Sequence, residues 1–292
     1  MKITTECVPC LIRRIIFEAE QSSDDPEVRA EAVRKACKKL SELYDPDAVS
    51  AKVATKVHSV VYDILGDDDP YSELKNMSNK IARELVPYVE GIVEKSEDSL
   101  KTSMLCSIVG NMMDFGIAGG SSSPDDLSEA FDEYFQQGLG YSEYPRLIEL
   151  IKDSKKVVFF TDNCGEIVFD KILVRELKSF NPDIFLTLVV KGESVLSDAT
   201  MDDALDLGFD EIVDEILTTG CFAVGVDFDN MPDELSGALD DSDLIICKGM
   251  ANYEVFSETS YRPIGYLMRT KCDAIADSMG VPQGVSVIKV YE

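Results

Sequence analysis

Val157-Val158-Phe159-Phe160-Thr161-Asp162-Asn163-Cys164-Gly165-Glu166 decides how the second half of this chain folds. Four apolar, β-favouring residues lead into an acid, an amide and a glycine, and an amphipathic segment, Ile167 to Leu177, follows at once. That order reads as a buried strand, a tight turn and a crossover helix. In an open α/β sheet, ligands gather beyond the carboxyl ends of the strands, so Asp162 and Asn163 are expected at the mouth of a site. Two hard oxygen donors side by side suit a divalent cation such as Mg²⁺ or Mn²⁺. An Asx-turn that merely starts a helix accounts for the same residues without any ligand.

Outward from this stretch, further β-type runs occur at Ile184–Val190, Leu244–Cys247 and Val285–Val290, with weaker ones at Phe222–Val226 and Ile264–Leu267. Helical or loop segments separate them, which predicts a mostly parallel sheet covered on both faces. Before about residue 155 the texture differs. Glu6–Glu20, Pro26–Tyr44, Ala48–Leu65, Tyr71–Lys95, Asp98–Phe115 and Asp126–Gln137 carry apolar residues at helical spacing, with Ser, Gly, Asp and Pro breakers between them. The expected fold class is α/β. A helical N-terminal region, residues 1–145, would precede a Rossmann-like three-layer α/β/α domain, residues 146–292, with Ser142 to Lys155 as the hinge.

Bulk properties narrow the partners. The 292 residues carry 28 basic and 55 acidic side chains, a net charge of −27. Such a field repels nucleic acid and anionic membrane surfaces, and admits a phosphorylated substrate only where the site supplies its own cations. No run approaches the roughly 20 apolar residues of a membrane span, and Met1 to Arg14 lacks the apolar centre of a signal peptide. Eight scattered cysteines then read as reduced thiols in a cytoplasmic protein.

Polar islands follow three of the apolar runs: Asp162, Asn163 and Glu166; Lys191-Gly192-Glu193 through Asp198; and Lys248-Gly249-Met250-Ala251-Asn252-Tyr253-Glu254. Brought together, Asp162, Asn163 and Asp198 make a partial metal shell, and Lys248 or the backbone N–H groups of Gly249 to Asn252 hold an anion. In the helical half, Asn111 and Asp114 share a helix face amid apolar neighbours and need partners, in the same site or on an adjoining helix. Cys7 and Cys10 form a C-x-x-C with no second pair, so Cys272, flanked by Lys271 and Asp273, is the third candidate ligand of a second metal or redox site. His58, the sole histidine, sits among Val57, Val60 and Val61 and reads as a structural residue. Acid–base work then falls to carboxylates, lysines or metal-bound water.

Taken together, Asp162-Asn163-Cys164-Gly165-Glu166 with Phe169-Asp170, Lys191-Gly192 through Ser197-Asp198-Ala199-Thr200, Gly110-Asn111 with Asp114, and Lys248-Gly249 with Asn252-Tyr253 resemble the DUF89 family of metal-dependent damage-control phosphatases. The N-terminal Cys7-x-x-Cys10 is similar to its stand-alone archaeal-type branch. The resemblance spans nearly the whole chain. It implies that Asp162, Asn163 and Asp198 bind a divalent metal (manganese, nickel, cobalt or magnesium), and that the Gly249 to Glu254 loop contacts substrate through its backbone and Asn252. Asn111 and Lys248 are grouped with these contacts. Lys271 falls near the lysine of an Arg-Thr-x-Lys substrate motif found in another branch, although Arg269-Thr270-Lys271 brings it one residue early.

The expected activity is hydrolysis of small phosphomonoesters, such as damaged purine nucleotides or sugar phosphates, with Glu166 or Asp114 as general base. Asp162 could itself attack, as in haloacid-dehalogenase-type phosphatases, but those carry a second acid two residues on where this chain has Cys164, which favours water. The rival functions are an S-adenosylmethionine-dependent carboxyl methyltransferase, for which no Gly-x-Gly loop follows the first strand, and a non-enzymatic metal or nucleotide sensor.

Overall fold

A computed structural model of the chain describes residues 1–111 and 124–292. Helices α1 (Cys7–Ser22), α2 (Pro26–Leu43), α3 (Ser50–Leu65), α4 (Ser72–Glu94), α5 (Ser99–Gly110) and α6 (Pro124–Gln137) come first. They follow the expected helical pattern; the far end of the run predicted to reach Phe115, with Asp114, lies outside the described residues. Asp25 caps α2 by accepting from Glu27 N at 2.8 Å, with Pro26 in the first turn where its missing N–H costs nothing. Next come β1 (Leu139–Ser142), α7 (Tyr144–Asp153), β2 (Lys156–Phe160), α8 (Glu166–Phe180), β3 (Phe185–Val190), α9 (Met201–Asp206) and β4 (Glu215–Thr218). The chain finishes with α10 (Asp233–Asp240), β5 (Leu244–Lys248), α11 (Gly249–Phe256), β6 (Ile264–Arg269), α12 (Asp273–Met279) and β7 (Ser286–Tyr291).

The seven strands form one sheet in the order β1-β7-β6-β5-β2-β3-β4, parallel throughout except for the β6–β7 pair. The fold is therefore mixed α/β, as expected. Alternation along each strand builds its two faces. Val157 and Phe159 face one apolar core with α4, α5, α7 and α8, while Val158 and Phe160 face another with α10, α11 and α12. A third, smaller core of Leu11, Ile15, Ala32, Ala36, Val57 and Val61 ties α1, α2 and α3 together.

Three sequence expectations change. Phe222–Val226 is not a strand: the carbonyls of Ala223 and Gly225 accept from the Lys191 ammonium, which turns that backbone away from any ladder. Instead β4 forms earlier in the chain, at Glu215–Thr218, and escapes notice because, as a half-exposed edge, it lacks a strong apolar run. The segment read as a hinge, Ser142 to Lys155, contains α7, whose Leu147 and Ile151 are buried under the sheet. None of the described helices is long and apolar enough to cross a membrane.

The topology places a crevice. From β2 the chain moves to β3 and β4 on one side, then crosses back to β5 on the other. Strand order reverses around β2, and loops leaving β2 and β5 diverge there, which opens space beyond their carboxyl ends.

Candidate functional site

Asp162 and Asn163 leave β2 at this switch point and Gly249 leaves β5 beside them. Val190, Lys191 and the loop to Asp198 leave β3 on the other flank. Loop and strand end are stitched together: Ala199 N donates to Asp162 O at 2.9 Å, Cys164 N to Ser197 O at 2.8 Å, and Ser197 Oγ to Asn163 Oδ1 at 2.7 Å. Leu196 takes a left-handed φ of 51°, unusual for a residue with a side chain, and its N–H donates to Tyr62 Oη of α3 at 3.2 Å. The helical half thus braces the turn that carries Asp198.

A cavity of about 200 Å³ opens here, lined by Asn111, Asp162, Asn163, Ser197, Asp198, Gly249 and Lys271. Gly249 has φ 73°, and a Cβ on it would lie 2.1 Å from Asp162 Cγ, so only glycine permits the approach. Asp162 Oδ2 accepts from Asn111 Nδ2 at 2.8 Å and from Asn163 Nδ2 at 2.6 Å. Burial, and then the charges of Glu166 and Asp198, push the Asp162 carboxyl well above the usual carboxylate range; Lys271 and the Asn111 amide pull the other way. Asp198 is also raised, by burial above all, against the opposing charge of Lys191. Its Oδ2 is buried without a hydrogen bond in good geometry, with Lys191 Nζ as an ion-pair partner at 3.2 Å.

Crowded carboxylates with an unsatisfied oxygen, beside an amide oxygen that retains a lone pair, fit a hard divalent cation. Among the described residues no three His, Cys, Asp or Glu side chains converge as a ready-made metal group. The fit therefore needs Asn163 with the two aspartates, and room for water or a substrate oxygen.

Other sequence candidates fall elsewhere. Lys248 is fully buried, and its ammonium is spent on Glu166, on Asp170 Oδ1 at 2.7 Å and on Ser107 O at 3.3 Å. Burial alone would lower its pKa, but Asp170 and Glu166 outweigh it and hold the group charged. With its three donors used, Lys248 has none left for a phosphate. Glu166 is likewise buried and receives hydrogen bonds from Lys248, Asn111 and Asn163. Both act behind Asp162 rather than in the cavity, which corrects their reading as anion holder and general base. Asn252 donates to Thr161 O at 2.9 Å and Lys248 O at 2.8 Å, joining the two strand ends instead of facing substrate. Asp114 lies outside the described residues. Lys271 does face the cavity, donating to Asn111 O at 3.1 Å.

Cys7, Cys10 and Cys272 line the same cavity, as free thiols. Cys7, Cys10, Leu11 and Arg14 share one face of α1, spaced three and four residues apart, and all four border the cavity. Arg14, Glu254, Arg269 and His58 border it too. Sequence reasoning passed over Leu11 and Arg14, although the α1 face was legible from its spacing; it read His58 as structural, and met Glu254 and Arg269 only as members of longer motifs. Burial raises Glu254 to about 7, against the Ser50 hydroxyl and the Met1 amino group.

Comparison with known proteins agrees with this architecture. The model of the Damage-control phosphatase ARMT1-like domain matches residues 3–287. The chain is 41% identical over 292 residues to a protein of Archaeoglobus fulgidus named Damage-control phosphatase, covering 100% of both. It is 29% identical over 288 residues to Damage-control phosphatase PH1575 of Pyrococcus horikoshii, covering 98% of this chain and 97% of that one. A crystal structure of a DUF89 family protein from Pyrococcus horikoshii superposes with a TM-score of 0.91 at 28% identity, covering 100% of each chain. With strand order, crevice and full-length matches in accord, the chain belongs to the damage-control phosphatase ARMT1-like (DUF89) family.

Proposed function

We propose that this protein is a metal-dependent phosphatase acting on small phosphomonoesters in metabolite damage control. The observation that carries the reading is the meeting of Asp162, Asn163 and Asp198, from two separate strand ends, in one cavity that also holds Lys271. A divalent cation such as Mn²⁺, Ni²⁺, Co²⁺ or Mg²⁺, bound by these three side chains, supplies Lewis-acid neutralisation of phosphoryl charge. The chain's own groups do the rest. Lys271 and the N–H groups at the start of α11 hold phosphoryl oxygens, and Gly249 keeps that backbone close to Asp162. Behind them Asn111, itself held by Glu166, fixes the Asp162 carboxylate, so that it need not reorganise as charge develops.

Damaged purine nucleotides, related phosphates and sugar phosphates are the substrate classes to try. The relatives' names support the phosphatase class, and the early lysine of Arg269-Thr270-Lys271 leaves the sugar preference of other branches without support. The test is a matrix of metals against phosphate esters on chelator-stripped protein. Turnover should appear only with added metal and should fall by about 10³-fold or more in Asp162→Ala, with the unfolding transition retained. Metal-independent hydrolysis, or full activity in Asp162→Ala, would sink the assignment.

A further inference from the structure

The only histidine of the chain stands at this cavity. His58 is 2% exposed on α3 and borders the same space as Asp162 and Asp198. Its Nδ1 lies 2.8 and 2.9 Å from the two oxygens of Glu18, a carboxylate of α1 that is wholly buried and also accepts from Tyr71 Oη at 3.4 Å. No hydrogen bond engages Nε2 among the described residues. One helical turn along α3, Tyr62 holds the Leu196 N–H, two residues before Asp198. The same helix thus carries His58 and the tyrosine that braces the loop of a proposed metal ligand.

An imidazole that borders a cavity and is fixed through Nδ1 by a carboxylate has the build of a proton-transfer group. A histidine kept only for packing gains nothing from a dedicated, fully buried carboxylate, since burying that charge is costly. The cavity lining also includes the apolar side chains of Ile3, Leu11 and Ala54. The alcohol portion of a phosphomonoester would rest against such side chains.

We propose that His58, oriented by Glu18, is the proton donor to the leaving alcohol; this rests on the phosphatase reading above. The P–O bond to water forms as the P–O bond to the alcohol breaks. The departing oxygen takes the proton of Nε2–H, leaving neutral imidazole, and the product is the free alcohol. The attacking water gives one proton to solvent, and solvent returns one to His58, so charge and protons balance over the cycle. Glu18 does not transfer a proton; it holds the ring and stabilises the imidazolium.

Two esters separate this role from a structural one. Butyl phosphate needs its leaving oxygen protonated, whereas p-nitrophenyl phosphate leaves as a stable anion. In metal-loaded enzyme, His58→Gln should cost about 10²-fold or more in kcat on butyl phosphate, and at least about tenfold less than that on p-nitrophenyl phosphate. Glu18→Gln should show the same split with a smaller amplitude. Partial misfolding lowers both rates equally, so the ratio is immune to it. Equal losses on both esters, or no loss on either, would overturn the proposal while leaving the phosphatase reading intact. Wild-type protein inactive on both esters with every metal would remove the reading itself, and His58 with it. A binding measurement adds an independent check. The single imidazole gives one set of ring nitrogen resonances, and saturating butylphosphonate should shift Nε2 more than Nδ1. Unmoved resonances at saturation would count against any contact with the leaving group.

Discussion

Two charged clusters sit back to back at the carboxyl ends of β2 and β5, and they are built for opposite ends. The inner one, Lys248 with Glu166 and Asp170, is closed: the ammonium meets two carboxylates and a carbonyl, and all three residues are buried. Burial pushes Asp170 up to about 6 against the pull of Lys248, and its Oδ2 has no hydrogen-bond partner. The outer one, Asp162 with Asp198, is open to the cavity, and the charge of Asp198 adds to the cost of ionising Asp162. A cluster whose groups meet only one another holds elements in register, whereas one that faces a cavity has room for a ligand. Lysine beside a glycine at a strand end looks the same in sequence in either case. Only the partners of its ammonium tell them apart.

The sharpest way to break that contrast is to open the closed cluster. Lys248→Met strands two buried carboxylates and should destabilise the fold by about 3–5 kcal/mol, measured by urea unfolding. A cost under about 1 kcal/mol would show that the inner pair is solvated and not closed. Filling the open cluster should do the reverse. Divalent metal at about 100 times its Kd should stabilise wild-type protein by about 2.7 kcal/mol, and Asp198→Asn should lose most of that gain, each protein being compared with its own metal-free state. Equal gains in both proteins would move the metal elsewhere.

The most gradual effect is a pH slope on the open side. Glu254 has a folded pKa raised to about 7 against an ordinary 4.5. Between those values the folded state binds more protons than the unfolded one, so this group's contribution is fully present below about pH 4.5 and is lost as pH rises through 7. Each tenfold change in proton affinity is worth about 1.4 kcal/mol, so the loss amounts to a few kcal/mol at most. Glu254→Gln should flatten this part of the stability profile, checked by chemical unfolding at a series of pH values across that window. A slope unchanged by the substitution would assign it to other groups.

Much of this could be read in advance where local chemistry decides. Apolar runs of four to seven residues marked β2, β3, β5 and β7, and their polar exits marked Asp162, Asn163 and Asp198, because strand period and turn chemistry are local properties. What escaped was set by distant partners. Lys248 reads as an anion holder until Glu166 and Asp170, from the facing helix, are seen to consume it. His58 reads as a core residue because Glu18, 40 positions away, leaves no trace near it in sequence. β1 and β4 lie at the sheet's two edges, half-exposed, where little apolar signal is required.

Gly110 packs against Phe169, where a Cβ would meet the ring at 2.6 Å, and the next residue, Asn111, reaches Asp162 and Glu166. The helical and sheet-bearing parts are thus keyed together within the width of a methyl group, at the point where chemistry is proposed. Neither part can be exchanged with that of a relative as an independent cassette unless glycine, asparagine and the facing aromatic ring travel as a set.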